Sequence, residues 1–218
     1  YYTDCIQAED RGETVDGTYT IDPDGYNGPR EPFDVTCDFA PYANLKGWWR
    51  LDHGSGSTYP DSAGSNDGTF NGTIWHGVQY VHGGAQWFDG STSITTSYSG
   101  VTGTGARTYM AWIQTTHNDA QDILCYGNDS AGKRIEFRLQ SSGELRLDVN
   151  SGNIVGTSIL NDGKWYHVAL TVASGSNVSA AKLYVNGVQE STTSDGQAID
   201  TGGNRDVTIG HSLSLIHI

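Results

Sequence analysis

Five acidic and amide side chains in glycine-rich segments could together bind a calcium ion. Asp52 ends the segment GWWRLD, Asp61, Asn66 and Asp67 follow in the next loop, and Asp89 lies in FDGS. Calcium takes about six to eight oxygen ligands from carboxylates, amides and carbonyls, which these side chains supply. Asp and Asn in such loops also form turns by accepting hydrogen bonds from the nearby backbone. The sequence therefore predicts either a calcium site or a set of side-chain-stabilised turns.

Aromatic side chains near loops are candidates for sugar binding. The C–H faces of sugars stack on exposed rings, while neighbouring polar groups hydrogen-bond the hydroxyls. Trp75, Tyr80, Tyr98 and Tyr126 lie near loop segments, and the alternative for each of them is structural packing. The other tryptophans fall inside apolar patterns and are predicted to be core residues: Trp48, Trp49, Trp87, Trp112 and Trp165.

Two arginines are expected to face each other across a hairpin. Residues 134–140 and 144–150 alternate as strands around Ser-Ser-Gly, which suits a three-residue loop that ends in a glycine of positive φ. The register that follows pairs Phe137 with Leu147, Leu139 with Leu145, Arg138 with Arg146, and Glu136 with Asp148. Directly opposed like charges are unfavourable unless something compensates them. Diagonal ion pairs, or an anionic ligand bound by Arg138 and Arg146, are the two explanations.

Motifs for catalysis are missing from the sequence. Paired carboxylates that cleave a glycosidic bond need a specific separation and a raised pKa on one of them, and no E-x-D-x-x-E strand occurs. The histidines have no zinc-ligand spacing, the three cysteines form no C-x-x-C, and no G-x-S-x-G turn is present. We therefore expect no catalytic residues and no zinc.

The composition limits the partners and the fold class. The chain has 12 basic and 25 acidic residues, with a formal net charge of −13, which disfavours nucleic acid and anionic membranes as partners. No run of about 18 apolar residues occurs that could span a membrane. The 29 glycines, together with short segments rich in Val, Ile, Tyr and Trp, predict an all-β fold with frequent turns.

Residues 161–190 contain the clearest local pattern. From Trp165 to Val172 apolar side chains alternate with mixed ones, which is the period of a half-buried strand. Asn186 and Gly187 separate two further strand segments, and Asn-Gly readily adopts the two positive φ values of a type I′ hairpin. These elements predict part of a sheet that packs through one face.

Residues 4–39 resemble the opening of fibrinogen-like extracellular domains. The matching residues are Cys5, Gly17, Tyr19, Ile21, Pro32, Phe33, Val35, Cys37 and Asp38. The resemblance implies a disulfide between Cys5 and Cys37 and, with it, an oxidising, secreted setting. The remainder of that family's domain is absent, so its binding function is not carried over.

From residue 47 to about 210 the chain resembles the laminin G-like, concanavalin A-like jelly roll. The similarity rests on WRLD before DSAGSNDGT, the run at residues 85–91, and the segments 109–114, 165–172 and 183–187. It implies an antiparallel β-sandwich and raises the expectation of calcium at a sheet rim. Similar domains close with an acidic strand after Ile-Gly, whereas this chain continues with SLSLIHI, so we expect a truncated jelly roll.

The predicted organisation has four parts: a fibrinogen-like opening segment at 1–40, a linker at 41–46, a jelly roll at 47–212, and a foreign tail at 213–218. The resemblance implies a non-catalytic, extracellular binding module for carbohydrate or for a matrix or cell-surface partner. Calcium is the expected cofactor, and other domains of a longer chain are expected partners. The alternatives are an architectural spacer of a large adhesin and a glycan-cleaving enzyme of the concanavalin A-like class.

Overall fold

The computed structural model describes residues 8, 11, 17–22, 32–37, 45–51, 56–72 and 85–210. The chain divides into two compact units, residues 1–46 and 47–218. In the first unit, β1 (Gly17–Ile21) pairs antiparallel with β2 (Phe33–Cys37), and Tyr19 lies opposite Val35. Both strands were predicted. Cys5 lies outside the described residues, so the disulfide and the fibrinogen-like resemblance stay predictions.

The second unit consists of short strands joined by turns. The first of them are β3 (Thr58–Tyr59), β4 (Gly68–Asn71), β5 (Ser93–Thr95), β6 (Arg107–Ile113), β7 (Gln121–Gly127), β8 (Arg134–Leu139) and β9 (Glu144–Asp148). They are followed by β10 (Asn153–Ile159), β11 (Tyr166–Val172), a 3₁₀ turn (Val178–Ala180), β12 (Lys182–Val185), β13 (Val188–Gln189), β14 (Thr193–Asp195) and β15 (Thr208–Ile209). None of the helical segments in the described part of the chain is long and apolar enough to cross a membrane.

These strands form two antiparallel sheets. The large sheet has the order β14-β10-β9-β8-β7-β15-β5-β4-β3, and the small sheet has the order β13-β12-β11-β6. Their apolar faces share one core, to which the large sheet contributes Phe137, Leu147 and Ile154 and the small sheet contributes Leu170 and Leu183. Two sheets joined face to face in this way form a β-sandwich. The predicted all-β antiparallel sandwich is therefore confirmed.

A buried polar contact joins the two inner faces. Tyr109 on β6 and Tyr126 on β7 have hydroxyl oxygens 2.5 Å apart, and their ring centroids are 6.3 Å apart. Arg107, which is almost fully buried, donates to the Tyr126 hydroxyl and to the Thr201 hydroxyl. Because these groups come from both sheets and from the loop before β15, the contact fixes how the layers meet at this end.

Local turn chemistry explains two of the hairpins. Asn186 and Gly187 have φ values of 48° and 79°, which are the two positive values of the predicted turn between β12 and β13. Gly143 has a φ of 98° in the loop between β8 and β9, and Arg138 lies opposite Arg146 as predicted. Residues 47–51, by contrast, form no strand, and Trp49 makes only an isolated bridge to Asp61.

Candidate functional site

Asp61 organises the loop that was predicted to bind calcium. Its Oδ1 atom accepts hydrogen bonds from the backbone N–H groups of Trp48 (2.8 Å) and Ala63 (3.0 Å), and its Oδ2 atom accepts two from Asn66 (both 3.2 Å). Asp67 in turn accepts a bond from the backbone N–H of Asp61 at 2.9 Å. A carboxylate has about four lone-pair positions, so this conformation leaves Asp61 none for a cation.

Asp89 occupies a separate turn. Its Oδ1 atom accepts from the backbone N–H of Ser91 (2.9 Å) and from the Ser91 hydroxyl (2.8 Å). Burial raises the pKa of the Asp89 carboxyl, but hydrogen bonds with Ser91 and Thr92 outweigh it and lower the pKa below its ordinary value. Asp89 is therefore a turn-forming carboxylate in this structure.

The predicted calcium ligands do not fit a calcium ion in this arrangement. Asp61, Asn66 and Asp67 do meet in one loop, but through hydrogen bonds to one another, while Asp52 lies outside the described residues. Within the described ranges, no group of three or more His, Cys, Asp or Glu side chains could hold a metal ion. Calcium binding stays a prediction.

Tyr126 was predicted to be a sugar-binding aromatic, and that prediction is wrong. Its side chain is only 1% exposed and packs in the core between the sheets. The hydroxyl donates to the carbonyl oxygen of Val101 at 2.9 Å and also contacts Arg107 and Tyr109. A buried tyrosine needs such partners for its hydroxyl, so the residue is structural. Trp75 and Tyr80 lie outside the described residues.

Arg138 and Arg146 lie in a compact array of charges on the outer face of the large sheet. Arg138 donates to Glu136 at 3.0 Å and Arg146 donates to Asp148 at 2.6 Å, each along its own strand. The diagonal contact from Arg138 to Asp148 is longer, at 3.9 Å. The opposed arginines are thus compensated within the protein, mainly along the strands rather than diagonally. Their role in ligand binding stays a prediction.

The same array contains two carboxylates in facing positions. Glu136 lies directly opposite Asp148, and Arg134 contacts both of them, at 2.8 Å and 3.5 Å. Burial raises the pKa of Asp148, but hydrogen bonds from Asn150 and Arg146 and the nearby arginine charges lower it below its ordinary value. A general acid for glycoside cleavage needs the opposite shift. These carboxylates therefore have the environment of an ion-pair array.

The outer face of the small sheet has a different character, because large apolar side chains are exposed on it. Trp112 on β6 is 44% exposed and Met110 is 63% exposed. Across the strand pair, the His167 ring contacts the Trp112 ring edge to face, with centroids 5.4 Å apart and planes at 66°. An exposed indole beside an imidazole offers both a stacking face and a hydrogen-bonding group for a sugar.

Tyr184 on β12 extends this exposed region. It lies opposite Ala169 on β11, which in turn lies opposite Met110, so all three side chains point away from the core. We call the outer face formed by Met110, Trp112, His167, Ala169 and Tyr184 the Trp112 surface. It combines two exposed or half-exposed aromatic rings with polar neighbours, which makes it the candidate ligand site.

Sequence reasoning missed this surface because it assigned Trp112 to the core. A usable signal existed in the alternation of residues 107–113, where Met110 and Trp112 share one side of the strand and Tyr109, Ala111 and Ile113 share the other. The strand β11 alternates in the same way, and the two core-facing sets are paired in the sheet. The alternation therefore groups Trp112 with Met110, but packing against the large sheet decides that this group lies outside.

Comparison with solved structures finds the same fold. Domain 4 of AbnA, an extracellular arabinanase from Geobacillus stearothermophilus solved in complex with arabinotriose, is 20% identical. That match covers 72% of this chain and 81% of the domain, with a TM-score of 0.51. Domains LG4-5 of the mouse laminin α1 chain are 16% identical over 60% of this chain and 36% of that chain, with a TM-score of 0.43. Among curated proteins, no significant sequence match was found.

A comparison with family models assigns the sequence to a family. The laminin G-type model of the concanavalin A-like lectin/glucanases superfamily matches residues 88–214, which is more than half of the chain. The matched part runs from before β5 to beyond β15 and includes all four strands of the small sheet. This chain therefore belongs to the laminin G-like family of the concanavalin A-like lectin/glucanases superfamily.

Proposed function

We propose that this protein is a non-catalytic carbohydrate-binding module and that its ligand stacks on the Trp112 surface. The observation that carries the proposal is the exposure of Trp112 on an ordered strand, where a tryptophan would ordinarily be covered. A sugar ring placed on the indole removes apolar area from water on both partners, and this contact favours binding. The bound arabinotriose of the AbnA domain, which shares the fold, supports the same ligand class.

Polar groups on the outer face of the small sheet can satisfy the hydroxyls of a bound sugar. The His167 ring contacts the indole edge to face, and the backbone N–H of His167 donates to the Asn186 side chain at 2.9 Å, which ties β11 to the hairpin between β12 and β13. Gln189 lies opposite Tyr184 and is exposed. A rigid strand pair that presents one aromatic face and a few polar groups is the arrangement that sugar sites require.

Catalysis forms no part of this proposal, since the facing carboxylates Glu136 and Asp148 of the large sheet are held in ion pairs rather than set apart as an acid and a base. Like other laminin G-like domains, the module is proposed to act outside the cell. The partner is a glycan, free or attached to a matrix or cell-surface protein.

A glycan array followed by calorimetry tests the proposal, with arabinotriose as the first soluble probe. We expect Trp112→Ala to weaken binding about tenfold or more, since a stacked aromatic contact contributes about 1.4 kcal/mol, the equivalent of one decade. Trp112→Phe, which retains a smaller ring, should recover part of the affinity. Ile159→Ala, which trims an exposed apolar residue on β10 of the large sheet, is the matched control. Unchanged binding by Trp112→Ala would reject the Trp112 surface.

Calcium binding is a separate proposal, which calorimetry also tests. Binding through Asp61, Asn66 and Asp67 would require calcium to displace the N–H groups, including that of Asn66, that now donate to the Asp61 and Asp67 carboxylates. Heat on addition of calcium, with a rise in melting temperature that a chelator reverses, would support it. If calcium produces neither heat nor a rise in melting temperature, the calcium proposal is rejected.

A further inference from the structure

The Trp112 surface has a low centre with a taller side chain on either side. Ala169 occupies the middle strand β11, with Met110 opposite it on β6 and Tyr184 opposite it on β12. Ala169 is 8% exposed, while Met110 is largely exposed and Tyr184 is partly buried. The outer face is therefore a shallow depression that has alanine as its floor and longer side chains as its walls.

Two aromatic rings lie at diagonal corners of this depression. Trp112 and Tyr184 are two strands apart and offset by two residues along the sheet. With strands about 4.8 Å apart and a rise of about 3.4 Å per residue, their backbone positions are about 12 Å apart. That distance is longer than one sugar ring, so one sugar cannot stack on both side chains. Two separate stacking positions are present, and the line between them crosses β11 between His167 and the low Ala169.

The rings do not form one flat platform. The planes of Trp112 and His167 are inclined at 66°, so the imidazole stands against the indole instead of extending it. The flat face of a crystalline polysaccharide needs coplanar rings to lie against. An inclined ring beside a depression instead suits a single polysaccharide chain, because its sugar units can adopt different orientations along an uneven surface.

The outer face of these four strands also carries no acidic side chain. Its described strand positions are Thr108, Met110, Trp112, His167, Ala169, Thr171, Lys182, Tyr184 and Gln189. Glu190, the next residue, instead accepts hydrogen bonds from the backbone N–H groups of Thr157 and Ser158 on β10. In a chain with a net charge of −13, this face has no negative charge at these described positions, and Lys182 is its one cation among polar and apolar side chains.

We propose that the Trp112 surface binds an extended, soluble oligosaccharide of about three sugar units that runs diagonally from Trp112 over Ala169 to Tyr184. This inference rests on the proposed carbohydrate-binding function and specifies the ligand as a chain, rather than a single terminal sugar or a crystalline surface. One end sugar stacks on Trp112, the other stacks on Tyr184, and the middle unit lies over Ala169.

Calorimetry with arabino-, xylo-, manno- and chito-oligosaccharides of one to six units tests the length requirement. For the series that binds, we expect affinity to rise about tenfold or more from one unit to three and then to level off. Tyr184→Ala should abolish that rise, whereas Trp112→Ala should weaken every member. Ala169→Gln, which fills the depression, should also remove the gain. Thr108→Gln, the matched control, lengthens a side chain by a comparable amount on β6 away from the line between Trp112 and Tyr184. This variant should bind like the wild type.

The outcomes distinguish the extended-chain inference from the underlying proposal that the protein binds carbohydrate. Affinity that is independent of chain length, or a length gain that survives Tyr184→Ala, overturns the extended-chain inference but leaves sugar binding intact. Stronger binding to crystalline cellulose or chitin than to any soluble chain overturns it as well. No binding by any series and no hit on the glycan array rejects the carbohydrate-binding function itself. Circular dichroism and melting temperature on every variant exclude misfolding as the cause of a loss.

Discussion

Trp112 on β6 and His167 on β11 lie directly opposite each other, with their rings in edge-to-face contact on the outer face of the small sheet. Both side chains project away from the core because the residues on either side of them along each strand project into it. The rest of the fold thus holds the pair rigidly in an exposed position. A binding surface on paired strands keeps its geometry without a ligand, which reduces the entropy lost on binding.

Replacing Arg107 by alanine should strongly destabilise the sandwich. Besides the Tyr126 and Thr201 hydroxyls, its guanidinium donates to the carbonyl oxygens of Gly103 (2.7 Å), Gly105 (2.8 Å) and Val101. Loss of these bonds leaves buried acceptors unsatisfied, and we expect the free energy of unfolding to fall by about 3 kcal/mol or more. Urea denaturation measures the loss.

The matched control for Arg107 is Arg205→Ala. Arg205 is exposed and pairs with exposed Asp129, so its removal should cost less than about 1 kcal/mol. Equal losses in the two variants would show that the buried network does not hold the loop between residues 101 and 105.

Stability should fall at acidic pH partly through Asp148. Burial raises the pKa of its carboxyl, but hydrogen bonds from Asn150 and Arg146 and the arginine charges lower it below the ordinary 3.8. A lowered pKa in the folded state contributes stability that is fully present above the unfolded value. That contribution is lost as the pH falls from about 4 through the folded pKa. Urea unfolding between pH 2 and pH 6 should therefore show a shallower acid loss for Asp148→Asn than for the wild type.

Ser151→Ala serves as the control for that experiment, since Ser151 lies in the turn after Asp148 and has no titratable side chain. Its stability should decline with acid in parallel with the wild type. Parallel curves for Asp148→Asn and the wild type would contradict the predicted role of the Asp148 carboxylate.

Cys125 should resist alkylation in the folded protein. Burial raises the pKa of its thiol to about 12, with further contributions from the nearby carboxylates Asp122 and Glu136. Since the thiolate is the reactive form, iodoacetamide at pH 8 should leave Cys125 unmodified and should label it fully after denaturation in urea. Peptide mass mapping reports this cysteine separately from the other two. Rapid labelling of native protein at Cys125 would contradict the raised pKa of this partly buried thiol.

Gly187→Ala should weaken the hairpin between β12 and β13 by about 1 kcal/mol, because an alanine at a φ of 79° is strained. No heavy atom lies within 4 Å of the added Cβ, so the loss of stability would arise from backbone strain and not from a steric clash. Gly203→Ala is the control, since Gly203 is outside the positive-φ region and its added Cβ meets Thr102 at an ordinary 3.4 Å. A smaller loss at Gly187 than at Gly203 would count against this explanation.

Hairpins with strong local signals were predictable from the sequence. The pairing of Arg138 with Arg146 followed from counting outward from Gly143, because a short loop leaves one register that keeps leucines on a common face. The ends of other elements were harder to place. Residues 47–51 have the composition of a strand, yet among them only Trp49 forms a bridge, because strand pairing needs a partner that local sequence does not specify.

The aromatic side chains show which features the sequence determined and which features the tertiary structure determined. The sequence by itself determined the all-β class, the alternation along β6 and β11, and the Asn-Gly turn, since these follow from local backbone preferences. Which side of β6 faces the core was decided only by tertiary structure. Both sides of that strand are apolar, and only packing against the large sheet buries Tyr109 and Ile113 while leaving Trp112 in solvent. The same packing buried Tyr126, so exposure depended on the partner sheet and not on the residue type.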